Sequence, residues 1–257
     1  MKIGIFDSGI GGLSVLSEAI SAISFGEFIY YADTDNVPYG EKSEEEIRGY
    51  VEKAVDFLIE KGARAIVLAC NTATSVSVKS LREKYSLPIV GMEPAVKRAV
   101  DLFSEGRVLV SATPMTIKGE KLHSLIGRLD SKSRVDLVAL PGLVRLAEKG
   151  VFEGEEVKEY LDRELSGIDL SLYSSFVLGC THFVFYKKAL GEYLPSGIKL
   201  LDGNEGTVRQ LLKRIKEECG ADDARQSVEY FTSGRKADEK TAERYSYLVK
   251  LAANQRR

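Results

Sequence analysis

Short apolar runs recur along the chain, separated by longer stretches with helical periodicity. The runs predict strands at 2–6 (KIGIF), 27–32 (EFIYYA), 64–69 (RAIVLA), 88–92 (PIVGM), 107–112 (RVLVSA), 134–139 (RVDLVA), 175–179 (SFVLG), 198–202 (IKLLD) and 227–233 (SVEYFTS). Strands that alternate with helices in this way make an α/β protein, with a mostly parallel sheet covered by helices. Among the helical segments, a charged one runs from Ser43 to Lys61, where Ser43 and Glu46 make a capping box, and another runs from Gly206 to Cys219. No linker rich in Pro, Gly or Ser divides the chain.

Composition narrows the field. A chain of 257 residues, 44% of them hydrophobic, can bury a substantial core, as one large domain or two small ones. With 36 basic and 38 acidic residues the net charge is −2, so no global field draws nucleic acid or an anionic membrane. The opening MKIGIFDSG lacks an apolar signal core, and no apolar run nears the roughly 20 residues that span a bilayer. A cytoplasmic protein with a small-molecule partner is expected. Three cysteines make a disulfide framework improbable, and no CxxC or Cys/His spacing suggests a metal, so each thiol is read as free.

Three places share one design, in which an apolar strand ends and small polar residues open a helix. They are IGIF-Asp7-Ser8-Gly9, IVLA-Cys70-Asn71-Thr72 and FVLG-Cys180-Thr181-His182. Ligands of open parallel sheets bind beyond the carboxyl ends of strands, where helix N-termini offer free N–H groups. The second and third places read as an approximate internal repeat, 110 residues apart. Two similar open, mostly parallel α/β halves, each giving one cysteine to a shared cleft, would explain it.

A lone cysteine at a strand end is more often a small core residue. Two in matched contexts, each followed by polar residues that packing does not need, point instead to a reactive pair. A thiolate at a helix N-terminus is expected to have its pKa drawn towards neutrality. DSGIGGLSVL resembles a dinucleotide fingerprint, but Ser14 stands where the third glycine belongs, and Asp7 would repel a phosphate. Asp7 is therefore either the cap of the following helix or a group that meets a substrate ammonium or a neighbouring thiol. Of the two histidines, His182 sits in a cleft-facing turn, whereas His123 lies in a helical segment and is read as structural or solvated. Glu148 reads as a solvated helix residue and Cys219 as incidental.

These residues carry a resemblance to the glutamate racemases. It spans essentially the whole chain, through DSGIGGLSVL, YYADTDNVPYGEKS, LACNTATS, GMEPAVK, ATPMTIKG, LVRLAEKG, VLGCTHF and LLDGNEGTV. The resemblance implies an isomerase that interconverts L- and D-glutamate without a cofactor and supplies D-glutamate for peptidoglycan. It implies Cys70 and Cys180 as the catalytic acid/bases, with Asp7 assisting Cys70, and Glu148 and His182 assisting Cys180. The implied substrate set is Asp7, Ser8, Tyr39, Gly40, Asn71, Thr72, Thr181 and His182, with Thr113 and Thr116 nearby. Two α/β domains are implied, 1–96 with 206–257 and 97–205, with the active site between them, in a homodimer.

Inverting an amino-acid centre requires proton removal on one face and delivery on the other, which two thiols, one of them ionised, can do. The resemblance implies that Cys70 takes the proton from the D-isomer and Cys180 from the L-isomer. FVFYKKAL after GCTH, and Gly203 after Asp202, depart from the family pattern without touching these groups. A racemase of another acidic amino acid such as aspartate, a thiol-dependent lyase or hydrolase, and a silent glutamate-binding protein remain as alternatives.

Overall fold

The computed structural model describes residues 1–24, 26–103, 105–130, 133–215 and 226–255. Its strands are β1 (Lys2–Asp7), β2 (Glu27–Ala32), β3 (Ala65–Leu68), β4 (Ile89–Gly91), β5 (Arg107–Ala112), β6 (Val135–Ala139), β7 (Tyr173–Leu178), β8 (Lys199–Asp202), β9 (Ser227–Thr232) and β10 (Arg235–Lys236). All nine apolar runs form strands, with ends moved by at most two residues. The tenth, β10, is too short and polar to show as a run; it pairs antiparallel with β9.

The strands form two sheets, ordered β10-β9-β2-β1-β3-β4 and β6-β5-β7-β8. All other pairings are parallel. Within the first sheet, β2-β1-β3-β4 has the order of β6-β5-β7-β8 in the second, so the repeat suspected around the cysteines is a repeat of topology. β3 and β7 are equivalent strands, and Cys70 and Cys180 follow their carboxyl ends.

Alternation along each strand sends side chains to opposite faces. In β1 Ile3 and Ile5 join one apolar cluster and Phe6 another; in β7 Phe176 and Leu178 join the first, and Val177 a third. The first cluster is continuous across one face of both sheets, where the helices Leu13–Ala22, Pro141–Lys149 and Glu239–Asn254 lie. It ties the two sheets into one body, and each fully buried Ile, Leu or Phe in it contributes on the order of 1.5–3 kcal/mol.

Ser43 caps the helix Glu44–Glu60 in the expected capping box. The helix expected from Gly206 begins earlier, at Asn204, and is described to Ile215; it packs with Leu13–Ala22, β3 and β4. Cys219 lies outside the described residues. No helix among the described residues is long and apolar enough to cross a membrane.

Candidate active site

The ends of β1, β3 and β7 open onto one cleft, lined by Ser8, Cys70, Asn71, Thr72, Cys180, Thr181 and His182. Tyr39, Gly40 and Thr113 line it as well, together with Pro38, Glu41, Pro114, Pro141 and Val144. Asp7, Glu148 and Thr116 stand behind this lining and are hydrogen-bonded to it. The free space is about 20 Å³, room for little more than one water.

Cys70 caps the helix Asn71–Lys84, and its Sγ accepts the Ala73 N–H at 3.4 Å. The expected fall in its pKa is not found. Burial and the neighbouring Asp7 charge push the thiol up to about 12, outweighing the Ala73 N–H and a bond to Ser8. The helix terminus contributes the N–H, but one weak donor does not replace the water that burial removes.

Cys180 departs from the expected design in another way. The segment after it, Thr181–Tyr186, is a 3-10 turn rather than an α-helix, and the cysteine makes no side-chain cap. Its Sγ lies 3.7 Å from His182 Nδ1 instead. His182 Nε2 is 2.7 Å from Glu148 Oε1. Burial disfavours the imidazolium, but Cys180 and Glu148 together hold the His182 pKa well above the usual imidazole range. Burial likewise opposes ionisation of Glu148, yet His182 and the Ile10 N–H keep its pKa low. The result is an imidazolium–carboxylate pair with its remaining N–H towards Cys180.

Asp7 is fully buried. It is not the N-cap residue of the next helix, which starts at Leu13 with Gly12 as N-cap, but its carboxylate does take the Gly12 N–H at that terminus. Its Oδ2 accepts the Gly9 N–H at 3.1 Å and its Oδ1 the Thr181 hydroxyl at 3.2 Å. It acts on Cys70 through space. Burial, partly offset by the His182 charge, pushes its pKa up to about 6.

The glycine turn after Asp7 serves close approach across the cleft. A β-carbon on Gly9 would sit 1.9 Å from Glu148 Oε1, and one on Gly11 would sit 2.4 Å from His182 Nδ1. Space for these two side chains, not for a phosphate, is what the glycines provide. Ile10 N–H donates to Glu148 Oε1 at 2.9 Å, so one carboxylate oxygen holds both His182 and the opposite half. Glu148 is thus no solvated helix residue. Helical periodicity put it on a polar face; only the fold showed what that face meets.

Hydroxyls complete the lining. Thr72 Oγ1 lies 2.9 Å from Thr113 Oγ1 and 3.1 Å from Thr116 Oγ1, a triangle shared between the two sheets. Asn71 Oδ1 is buried on the cleft without a hydrogen-bond partner, an acceptor suited to an ammonium. Tyr39 turns its hydroxyl away, donating to Asp33 Oδ2 at 2.6 Å. His123 lies on the helix Glu120–Leu129, away from the cleft. Sequence reasoning missed Asp33, although it follows the end of β2 just as Asp7 ends β1. It also missed the ion pair of Arg145 with Glu41 at the cleft mouth. Among the described residues no group of three or more His, Cys, Asp or Glu is arranged to hold a metal ion.

The model of the Asp/Glu/Hydantoin racemase family matches residues 12–211. The chain belongs to this family. It is 54% identical over 242 residues to glutamate racemase of Campylobacter curvus (strain 525.92), covering 92% of this chain and 91% of that one. It is 43% identical to glutamate racemase 2 of Bacillus subtilis (strain 168), covering 98% and 96%. Among solved structures it is similar to Escherichia coli glutamate racemase in complex with L-glutamate and the activator UDP-MurNAc-ala, at a TM-score of 0.82 and 33% identity, covering 95% and 94%. The α/β architecture is that of these racemases, and the protein is an amino-acid racemase.

Proposed function

We propose that this racemase interconverts L- and D-glutamate by two-base proton transfer between Cys70 and Cys180, and supplies D-glutamate for peptidoglycan. One observation carries the reading: two free, buried thiols at equivalent strand ends of two sheets line one cleft. In the L-to-D direction the Cys180 thiolate, beside the His182 imidazolium, takes the α-proton. The Cys70 thiol then gives its proton to the opposite face. Cys180 ends as thiol and Cys70 as thiolate, ready for the reverse turnover.

Restoring the starting protonation requires Cys70 to regain a proton and Cys180 to lose one. Asp7, titrating near neutrality, can hand a proton to Cys70 and be reprotonated by water, while the Cys180 proton leaves to water and the His182 imidazolium stabilises the thiolate that remains. The Thr72–Thr113–Thr116 hydroxyls and the N–H groups of the three turns are donors for substrate carboxylates, and Asn71 Oδ1 is an acceptor for the ammonium. Glutamate does not fit the present free space, so the halves part to admit it and the bonds of Glu148 and Asp7 across the cleft re-form on closure.

The test is incubation with L-glutamate in D₂O without added cofactor, following optical rotation and α-deuterium, with L-aspartate as a parallel arm. Loss of rotation with deuterium incorporation is expected for glutamate; neither change, or turnover of aspartate alone, overturns the reading. A homodimer and cytoplasmic residence belong to the same reading, and sedimentation and cell fractionation check them.

A further inference from the structure

Asp33, one residue beyond β2, is 4% exposed and does not line the cleft. Four hydrogen bonds converge on its carboxylate from three side chains. Asn36 Nδ2 donates to both oxygens at 3.0 Å, Ser233 Oγ to Oδ1 at 3.0 Å, and Tyr39 Oη to Oδ2 at 2.6 Å. None of these partners is a cation. A carboxylate taken out of water is costly unless its lone pairs are all engaged, and here they engage two pieces of chain, the loop that follows β2 and the turn between β9 and β10.

Tyr39 is the partner that reaches the site. Burial and Asp33 keep its phenol protonated far beyond the usual range, so it is a permanent donor. Its ring is wedged against Phe6 and Tyr50. Tyr39 and Gly40 begin a one-turn 3-10 helix, Tyr39–Glu41, whose first N–H groups have no partner within the turn. Gly40 stands close against the other half, since a β-carbon there would lie 2.8 Å from Thr113 Cβ. Ser233, in the turn between β9 and β10, also takes the Asp35 N–H at 3.0 Å, so the C-terminal hairpin clamps the same loop.

We propose that Asp33 is a positioning residue of the racemase. By holding the Tyr39 hydroxyl it fixes the Tyr39–Gly40 backbone opposite Thr113, and so sets how tightly substrate is held without touching it. The proposal rests on the reading of this cleft as a glutamate site.

The experiment compares Asp33→Asn, Tyr39→Phe and the double variant with the wild type, by steady-state kinetics with both enantiomers and by thermal melting. Removing a backbone contact made equally in ground and transition states raises KM for L- and D-glutamate by a common factor of about five to ten, and leaves kcat within about twofold. The double variant should be no worse than Asp33→Asn, because both changes cut one link. A fall in Tm or kcat with KM unchanged makes Asp33 merely structural and overturns the proposal. So does a double-variant KM equal to the product of the single effects. If Asp33→Asn does not fold, Tyr39→Phe decides alone, and an unchanged KM overturns. No turnover in the wild type refutes the glutamate reading, and the proposal falls with it.

Discussion

Cys70 and Cys180 follow equivalent strands of two sheets with the same strand order, yet their surroundings share almost nothing. Cys70 is the cap of a true α-helix, takes a backbone N–H and Ser8, and is held as a thiol by burial beside Asp7. Cys180 opens a 3-10 turn, makes no cap, and faces an imidazolium backed by a carboxylate. Equivalent positions differ too. Asp7 ends β1, whereas Ala112 ends its counterpart β5. A repeated fold thus supplies two similar sites for a thiol, and unlike side chains surround them: a buried carboxyl beside Cys70, an imidazole backed by a carboxylate beside Cys180.

The sharpest way to break this comparison is to remove the thiols in turn. Cys70→Ser and Cys180→Ser should each cut racemisation by more than about a thousandfold, as loss of an essential acid/base does. Residual α-proton exchange in D₂O should then be biased towards one enantiomer in each variant, and oppositely in the two. Equal retention of activity by both variants defeats the two-base scheme.

Helpers come next. His182→Asn should cost about a hundredfold in kcat/KM and Glu148→Gln about tenfold, the usual scale for hydrogen bonds to charged groups. The two enantiomers are equal in energy, so kcat/KM falls by the same factor in both directions. Asymmetry appears in the isotope effect. With Cys180 weakened, abstraction from α-deuterated L-glutamate becomes the slow step, and its isotope effect should grow more than that of the D-isomer. Equal growth in both would mean that the pair does not serve Cys180 in particular.

How much of this contrast was legible beforehand depends on what carried it. The strands, the capping box at Ser43 and the paired cysteine contexts were readable, because they are local: a run, a spacing, a strand end. The tenth strand was not, since two polar residues pairing with β9 leave no pattern. Glu148 could be named only through resemblance, because its partners, His182 and Ile10, are brought to it by the contact between the halves. The direction of the Cys70 shift was misjudged for a related reason. A helix N-terminus can be read from sequence, but the depth at which it is buried is set by tertiary packing.

Asp7 sharpens the comparison through pH. A carboxyl titrating at about 6 can accept the Cys70 proton only when ionised, so wild-type kcat/KM should rise as pH increases through about 6. In Asp7→Asn that limb should vanish and activity fall about tenfold. Stability should move the opposite way. The folded pKa is raised, so the folded state holds the proton longer than the unfolded chain, and stability falls as pH rises between 3.8 and about 6. Chemical denaturation at several pH values should show that slope in the wild type and lose it in the variant. A wild-type limb that survives the substitution would assign the titration to another group.

The smallest effect should come from the other tie between the halves. Arg145 and Glu41 pair across the cleft mouth, but their side chains are 53% and 49% exposed, unlike the Glu148–Ile10 bond inside. Exposed pairs of this kind contribute about 0–1 kcal/mol and are screened by salt. Arg145→Gln should therefore change KM by less than about threefold in dilute buffer, and the difference from wild type should disappear in about 1 M salt. Glu148→Gln should keep its deficit there, because a buried bond is not screened. If the Arg145 variant instead loses as much as the Glu148 variant, and keeps the loss in salt, closure is governed at the mouth, and the contrast between the two thiols no longer accounts for what holds the halves together.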